Sequence, residues 1–294
     1  MPFLKYPSIE NTYQTKHINK HLEYHPQCKE VDYVIQVKYD GSNIQFVFEP
    51  FKSMRIAKRS CLISDNDNFN GIHDILPKYQ YLIDYLQEYC NAKNVNVNLF
   101  GEIYGKGIQN RINYGDGKYL SFFDISINDE ILRYKDAREE FPYITEVFWV
   151  PIVGIVHYQD IFEVEVPEGH EGIVFKPYEY HDGRPLILKK KAKEFEEKMK
   201  PKKRKESKPE DPEVTEWKEK FLPFINKNRV LSVFSKEGEI DDPNQIGDYI
   251  KSVMEDAIED FNKEYDTSNI DRNKLKQVYK AANREIVSIL KEYL

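Results

Sequence analysis

A lysine, a carboxylate and a glycine stand together in Lys38-Tyr39-Asp40-Gly41, inside the run VIQVKYDGSNIQFVF at 34–48. An amine held on a rigid strand edge, one step from an acid and a glycine turn, is a candidate covalent nucleophile. The plainer explanation is a β-hairpin, because Asp-Gly between two strand-like runs is the commonest short hairpin signal. Alone, the corner supports no more than that. Its weight comes from four segments further along the chain.

Ala57-Lys58-Arg59-Ser60 ends one apolar run, and Phe100-Gly101-Glu102-Ile103-Tyr104-Gly105 ends another. Ser121-Phe122-Phe123-Asp124-Ile125 is an aromatic strand candidate. Glu171-Gly172-Ile173-Val174-Phe175-Lys176-Pro177 and Leu188-Lys189-Lys190-Lys191 flank an Asp182-Gly183 hairpin turn. Each segment has an ordinary explanation by itself: strand ends meet glycine-rich loops, phenylalanines fill cores, and lysine runs coat solvated faces. The ordered set is harder to explain that way. It puts cations and acids on strands otherwise built for burial, where a charge is costly unless it is paired or bound to a ligand.

The elements that must position these residues fall into two parts. Short alternating runs between turn signals predict strands at 31–38, 43–48, 54–58, 96–102, 119–126, 153–156, 172–177 and 185–191. Tyr79, Leu82, Ile83, Leu86, Tyr89 and Cys90 recur at helical spacing, and 133–141 is a weaker helix. Residues 1–200 therefore read as an antiparallel β-rich α+β domain rather than regular βαβ units. Composition changes after Phe195: KMKPKKRKESK and PEDPE make 201–212 a charged, proline-punctuated linker. Beyond it the period becomes helical, over Tyr249 to Phe261 and again over Leu275 to Tyr293. Trp217, Phe221, Phe224 and Ile225 predict a shorter helix, and Asp242-Pro243 and Thr267-Ser268 offer helix starts. Residues 213–294 are thus a small all-α domain.

Composition bounds the function. A net charge of -7 over 294 residues leaves nucleic-acid binding to local basic patches, not to a global positive field. Three widely spaced cysteines, Cys28, Cys61 and Cys90, with no CxxC pair, point to a reducing, intracellular setting. The opening MPFLKYPSIENTYQ carries proline and charge too early for a signal peptide, and no apolar run approaches a membrane span. A soluble, non-secreted protein with no membrane partner is expected.

The ordered motifs resemble the covalent nucleotidyltransferase superfamily of polynucleotide ligases and RNA capping enzymes, with Lys38-Tyr39-Asp40-Gly41 matching its KxDG motif. Finer features resemble the RNA ligase 2-like branch, which includes phage enzymes and kinetoplastid editing ligases. These are Gly41-Ser42-Asn43, Ala57-Lys58-Arg59-Ser60, and the stretch from Gly101-Glu102 through Gly107-Ile108-Gln109 to Tyr114-Gly115-Asp116. Lys189-x-Lys191 with Phe195 shortly after also fits. The resemblance covers roughly 31–195; the helical part is similar only in size and type. It implies a nucleotidyltransferase (ATP-grasp-like ligase) domain followed by helices, where DNA ligases and capping enzymes usually carry a β-barrel.

The activity implied is an ATP-dependent RNA ligase. Lys38 would take AMP from ATP as a lysyl-AMP and pass it to an RNA 5′-phosphate. An RNA 3′-hydroxyl would then expel AMP and seal the strand, at nicks in duplex. Lys189, Lys191, Lys176 and a divalent ion would favour the neutral amine and screen the α-phosphate. Phe123 would stack on the adenine with Val174 opposite, and Val37 would also contact the cofactor. Phe123 is preferred to Phe122 because it precedes Asp124 in the family pattern. Arg59 and Glu102 would hold the ribose hydroxyls, Lys189 and Lys191 the AMP phosphate, and Asn43 the RNA 5′-phosphate. Asp40, Glu102 and Glu171 would hold Mg²⁺ or Mn²⁺, largely through its water shell, with Glu171 also among the catalytic residues. Lys190 should point to the opposite sheet face. A monomer is the default, because one site can perform all three steps. The other readings are a DNA ligase or guanylyltransferase of the same superfamily, and a non-catalytic RNA-binding relative.

Overall fold

The computed structural model describes residues 3–64, 66–109, 111–179, 184–196, 211–238, 240 and 245–293. The chain divides into two compact units, Met1–Ala192 and Lys193–Leu294.

The first unit is α+β. Its elements are β1 (Glu10–Asn11), α1 (Thr15–Tyr24), β2 (Asp32–Lys38), β3 (Ser42–Phe48), β4 (Arg55–Lys58), α2 (Ile72–Ile75) and α3 (Gln80–Lys93). They continue as β5 (Val97–Gly105), β6 (Lys118–Ile127), β7 (Glu130–Ile131), α4 (Tyr134–Glu140), α5 (Pro142–Val147), β8 (Ile152–His157), β9 (Gly172–Pro177) and β10 (Leu188–Lys191). One sheet has the order β1-β10-β9-β2-β8, the other β4-β3-β5-β6-β7. Among the strand pairs of the described residues, only β1–β10 is parallel.

Strand alternation assigns each sheet one apolar face. In the first sheet Tyr33, Ile35, Ile173, Phe175 and Leu188 pack with Ile18 and Leu22 of α1. In the second, Phe46, Phe48, Leu99 and Phe122 pack with Leu82, Leu86 and Cys90 of α3. Burying each such side chain fully contributes about 1.5–3 kcal/mol.

The hairpin expected at Asp40-Gly41 does not form. β2 pairs with β8 and β9, whereas β3 pairs with β4 and β5. The three residues from Tyr39 to Gly41 carry the chain from one sheet to the other. Gly41 is needed there because a Cβ would lie 2.3 Å from the carbonyl oxygen of Ile103. Lys38 therefore stands at the end of one sheet, beside the start of the second.

The second unit is α6 (Pro212–Phe221), α7 (Lys227–Glu237), α8 (Ile246–Glu264) and α9 (Arg272–Leu290). Asp211 caps α6 by accepting from the Glu213 N–H, with Pro212 in the first turn. Asp271, not Thr267 or Ser268, caps α9: its carboxylate accepts from the N–H groups of both Asn273 and Lys274. Val253, Ala257 and Phe261 of α8 pack with Val278, Ala282 and Ile286 of α9. The Asp182-Gly183 turn, the basic stretch at 197–210 and Asp242-Pro243 lie outside the described residues. No helix among the described residues is long and apolar enough to cross a membrane.

Candidate active site

Register across β2, β9 and β10 builds one wall. Lys38 is opposite Gly172, which is opposite Lys191; Gln36 is opposite Val174, which is opposite Lys189. Paired residues share a sheet face, so Lys38, Gln36, Val174, Lys176, Lys189 and Lys191 line the same one. Alternation sends Lys190 to the other face, where its Nζ donates to the carbonyls of Phe162 (2.8 Å) and Val164 (2.7 Å). By the same alternation the Val37 side chain is buried on the face away from Lys38, and its backbone is the part that lies on the site side.

Glu171 joins the two lysines that flank Gly172 in register. Lys38 Nζ lies 2.5 Å from Glu171 Oε2, and Lys191 Nζ lies 2.7 Å from Oε1. Burial pushes this carboxyl up, but Lys191 and Lys38 outweigh it and pull it down to about 2. Glu171 is thus a carboxylate at any working pH. A Cβ on Gly172 would come 2.4 Å from the Lys190 carbonyl oxygen, so no larger residue fits between the lysines without a shift.

The crossing segment is clamped by the loop after β5. Arg111 donates to both Asp40 oxygens, its Nε at 2.9 Å, and Tyr114 Oη accepts from the Asp40 N–H at 2.9 Å. Burial raises the Asp40 carboxyl, against the opposing bond from Arg111. Tyr39 stacks on Tyr104 at 3.9 Å between ring centroids.

The second sheet supplies the other wall. Asn43 of β3 is opposite Glu102 of β5. Burial pushes the Glu102 carboxyl up to about 7; Lys38 and Arg59 oppose the rise, and Glu171 and Asp40 add to it. Of the two phenylalanines, Phe122 is fully buried against Phe46 and Tyr79. Phe123 is half-buried, with Lys176 Nζ 5.1 Å from its ring centroid and Tyr6 edge-on to it. Lys176 donates to Asp124 Oδ2 (2.6 Å) and to the Phe123 carbonyl (2.9 Å), and Tyr6 Oη donates to the same Asp124 oxygen. Lys176 was expected among the cations around Lys38; its bonded partners are instead Asp124 and Phe123.

Gln36 completes this corner. It is 1% exposed, its Nε2 points to the Phe123 carbonyl at 3.4 Å, and its Oε1 is buried without a partner. A buried acceptor left unpaired costs about 1–3 kcal/mol, so this one is placed to be filled by a donor. Gln36 sits in register with Val174 and reaches Phe123, the two residues nominated for the base.

No group of three His, Cys, Asp or Glu side chains that could hold a metal ion occurs among the described residues. Arg111 occupies both oxygens of Asp40, and the two lysines occupy both of Glu171. These carboxylates do not fit an ion bound directly to their oxygens.

Sequence reasoning missed Gln36, Arg111 and Tyr6, and quoted Tyr114 as part of a motif without giving it a role. For Gln36 the signal was available, since it lies two residues before Lys38 on the same strand. For Arg111 and Tyr6 it was not, because nothing local says which loop or terminal residue folds back onto a site.

The RNA ligase family pattern matches residues 31–191, and that of the T4 RNA ligase 2 C-terminal region matches 208–288. Among solved structures, the fold is similar to a Naegleria gruberi RNA ligase with PPi: 19% identity, TM-score 0.50, covering 66% of this chain and 58% of that one. A lysine-to-alanine mutant of that ligase with ATP and Mn is similar at 17% identity and TM-score 0.50, over 66% of this chain and 58% of that one. The chain thus spans less than two thirds of the structures it matches. With the match over 31–191 taking in every strand from β2 to β10, the chain belongs to the RNA ligase family.

Proposed function

We propose that the protein is an ATP-dependent RNA ligase that joins RNA 3′-OH and 5′-phosphate ends at nicks in duplex, acting as a monomer inside the cell. The observation that carries this is the Lys38–Glu171–Lys191 bridge at the junction of the two sheets. It presents one amine on a fixed carboxylate, with a second cation beside it.

In the first step the neutral Lys38 amine attacks the α-phosphorus of ATP. A P–N bond forms, the bond to the β-phosphate oxygen breaks, and pyrophosphate leaves with the electron pair. The Lys38 side chain is 25% exposed, so its proton has a path to solvent. Glu171, held ionised, orients the amine and balances both lysines. Lys191 and Lys189 stand where charge develops on the phosphate oxygens, and removing one such donor costs roughly 10²–10³ in rate. The RNA 5′-phosphate, positioned by Asn43, then takes the AMP, and the 3′-hydroxyl displaces it.

Base selection falls to Phe123, Val174 and Gln36. The first two offer faces for stacking. The Phe123 carbonyl holds the Gln36 amide so that Oε1 faces a donor, which the exocyclic amine of adenine supplies and the O6 of guanine does not. Arg59 and Glu102 take the ribose hydroxyls. Glu102 would face the water shell of a Mg²⁺ or Mn²⁺ ion carried by the nucleotide phosphates, which would supply charge neutralisation there.

The test is sealing of nicked duplexes that differ only in the sugar at the two ends. Closure of the RNA nick with ATP, and much slower closure of an all-DNA nick, is expected. Equal sealing of both would move the assignment to a DNA ligase.

A further inference from the structure

Cations on the helices of the second unit are mostly held by acids, and α9 (Arg272–Leu290) breaks that pattern. Lys220 pairs with Glu216, Lys263 with Asp260, and Lys274 at the start of α9 with Asp211 and Glu213. Arg272, Lys276, Lys280 and Arg284 are exposed and have no ion pair among the described residues.

They recur every four residues. At 1.5 Å per residue the steps are about 6 Å, and the row is about 18 Å long. Val278, Ala282, Ile286 and Leu290 form the buried row of the same helix. Lys276 and Lys280 are two residues either side of Val278, about 200° away around the helix and so on its far side. Between the cations stand exposed amides, Asn273, Gln277 and Asn283, and the helix carries a single acid, Glu285.

A row of this length, without an ion pair among the described residues, in a chain of net charge -7 is a local polyanion site. Its chemistry selects the partner. A protein surface would be expected to bring aromatic or aliphatic anchors to the centre of the contact, and a membrane surface would need an apolar face alongside the charges. The row has neither. Evenly spaced Lys and Arg with interleaved amide donors match a nucleic-acid backbone, where most contacts go to phosphate and sugar oxygens.

We infer that the exposed face of α9 is a docking surface for the phosphate backbone of duplex RNA, which rests on the ligase reading for the choice of RNA over DNA. It binds without reading sequence, and its contribution is electrostatic and salt-dependent.

The test uses the full chain with Arg272→Gln, Lys276→Gln, Lys280→Gln and Arg284→Gln combined, and Lys276→Gln alone. A fluorescent RNA duplex with one 3′-OH/5′-phosphate nick is titrated across salt concentrations. The combined variant should bind about tenfold or more weakly near 0.1 M salt, and its log–log salt slope should be shallower by up to about 3.6. The single variant should lose about 1 from the slope. Self-labelling by ATP without RNA should be unchanged, which also reports that the first unit is intact. Unchanged affinity and slope in both variants would overturn the inference. A protein that never self-labels yet loses RNA in the variants would remove the ligase reading and leave the surface standing.

Discussion

Two buried ion networks, one in each unit, use the same kinds of group for opposite ends. In the helical unit Arg229 is fully buried and every arm of its guanidinium is filled. Nε donates to the Phe224 carbonyl (3.0 Å), one terminal nitrogen to the carboxylate and carbonyl of Asp256, and the other to Asp260 (2.8 Å). Lys236 and Lys263 add charge to the two acids. At the site, one carboxylate serves two lysines, and one of them, Lys38, reaches solvent. The first network has nothing left to exchange and pins α7 to α8. The second is a carboxylate shared by two primary amines, one of them at the end of a strand. A fully buried guanidinium with every arm filled marks the structural network, and a part-exposed primary amine beside a buried carboxylate marks the site.

Arg229→Ala breaks that contrast most severely. Removing the buried cation from two partly buried acids should cost about 3–5 kcal/mol, read by chemical denaturation, while Arg229→Met should cost less because its longer side chain fills space that alanine leaves empty. Self-labelling by ATP should survive in both folded variants. Lys191→Ala should do the reverse: labelling falls roughly 10²–10³-fold with the fold intact. Its neighbour Lys190→Ala separates the two sheet faces. Labelling should be largely retained, while stability drops by about 1.5–3 kcal/mol because two carbonyls lose a charged donor.

What was legible in the sequence depends on which forces are local. Strand alternation is local, so Lys190 could be given the face opposite Lys189 and Lys191 from the sequence, and the structure places it there; Phe123 was separated from Phe122 by the family pattern instead. Sheet partners are not local. Asp40-Gly41 carries the chemistry of a two-residue hairpin turn, yet β2 and β3 gain more by pairing with β9 and β5. α7 was hidden because its buried face includes Arg229, a residue that reads as solvent-facing until Asp256 and Asp260 are brought to it. The contacts of Arg111 and Tyr114 with Asp40 were hidden because a loop's return path is set by tertiary contacts.

Smaller effects sharpen the comparison within the site. Gln36→Leu removes the unfilled acceptor beside Phe123. Wild-type protein should prefer ATP to purine riboside triphosphate, which lacks the amine, by about tenfold, the worth of one hydrogen bond. The variant should lose the preference while labelling with the purine analogue is unchanged. Glu102 gives the mildest signal, in pH. Its carboxyl sits near 7 in the fold against an ordinary 4.5, so its ionisation works against folding, and that opposition grows as pH rises toward and through about 7. Glu102→Gln should therefore gain stability relative to wild type at pH 8 but not at pH 4. The wild-type labelling rate should rise with pH through about 7, and the variant should lack that rise.

The central claim is that Lys38 is a nucleophile and not a structural lysine at a strand end. Purified protein, cleared of bound nucleotide, is incubated with α-radiolabelled ATP and a divalent cation and run on a denaturing gel beside Lys38→Ala. A labelled band in the wild type that is absent from a folded Lys38→Ala is the predicted result. A band of equal strength in both proteins, or none from folded wild-type protein, would contradict it.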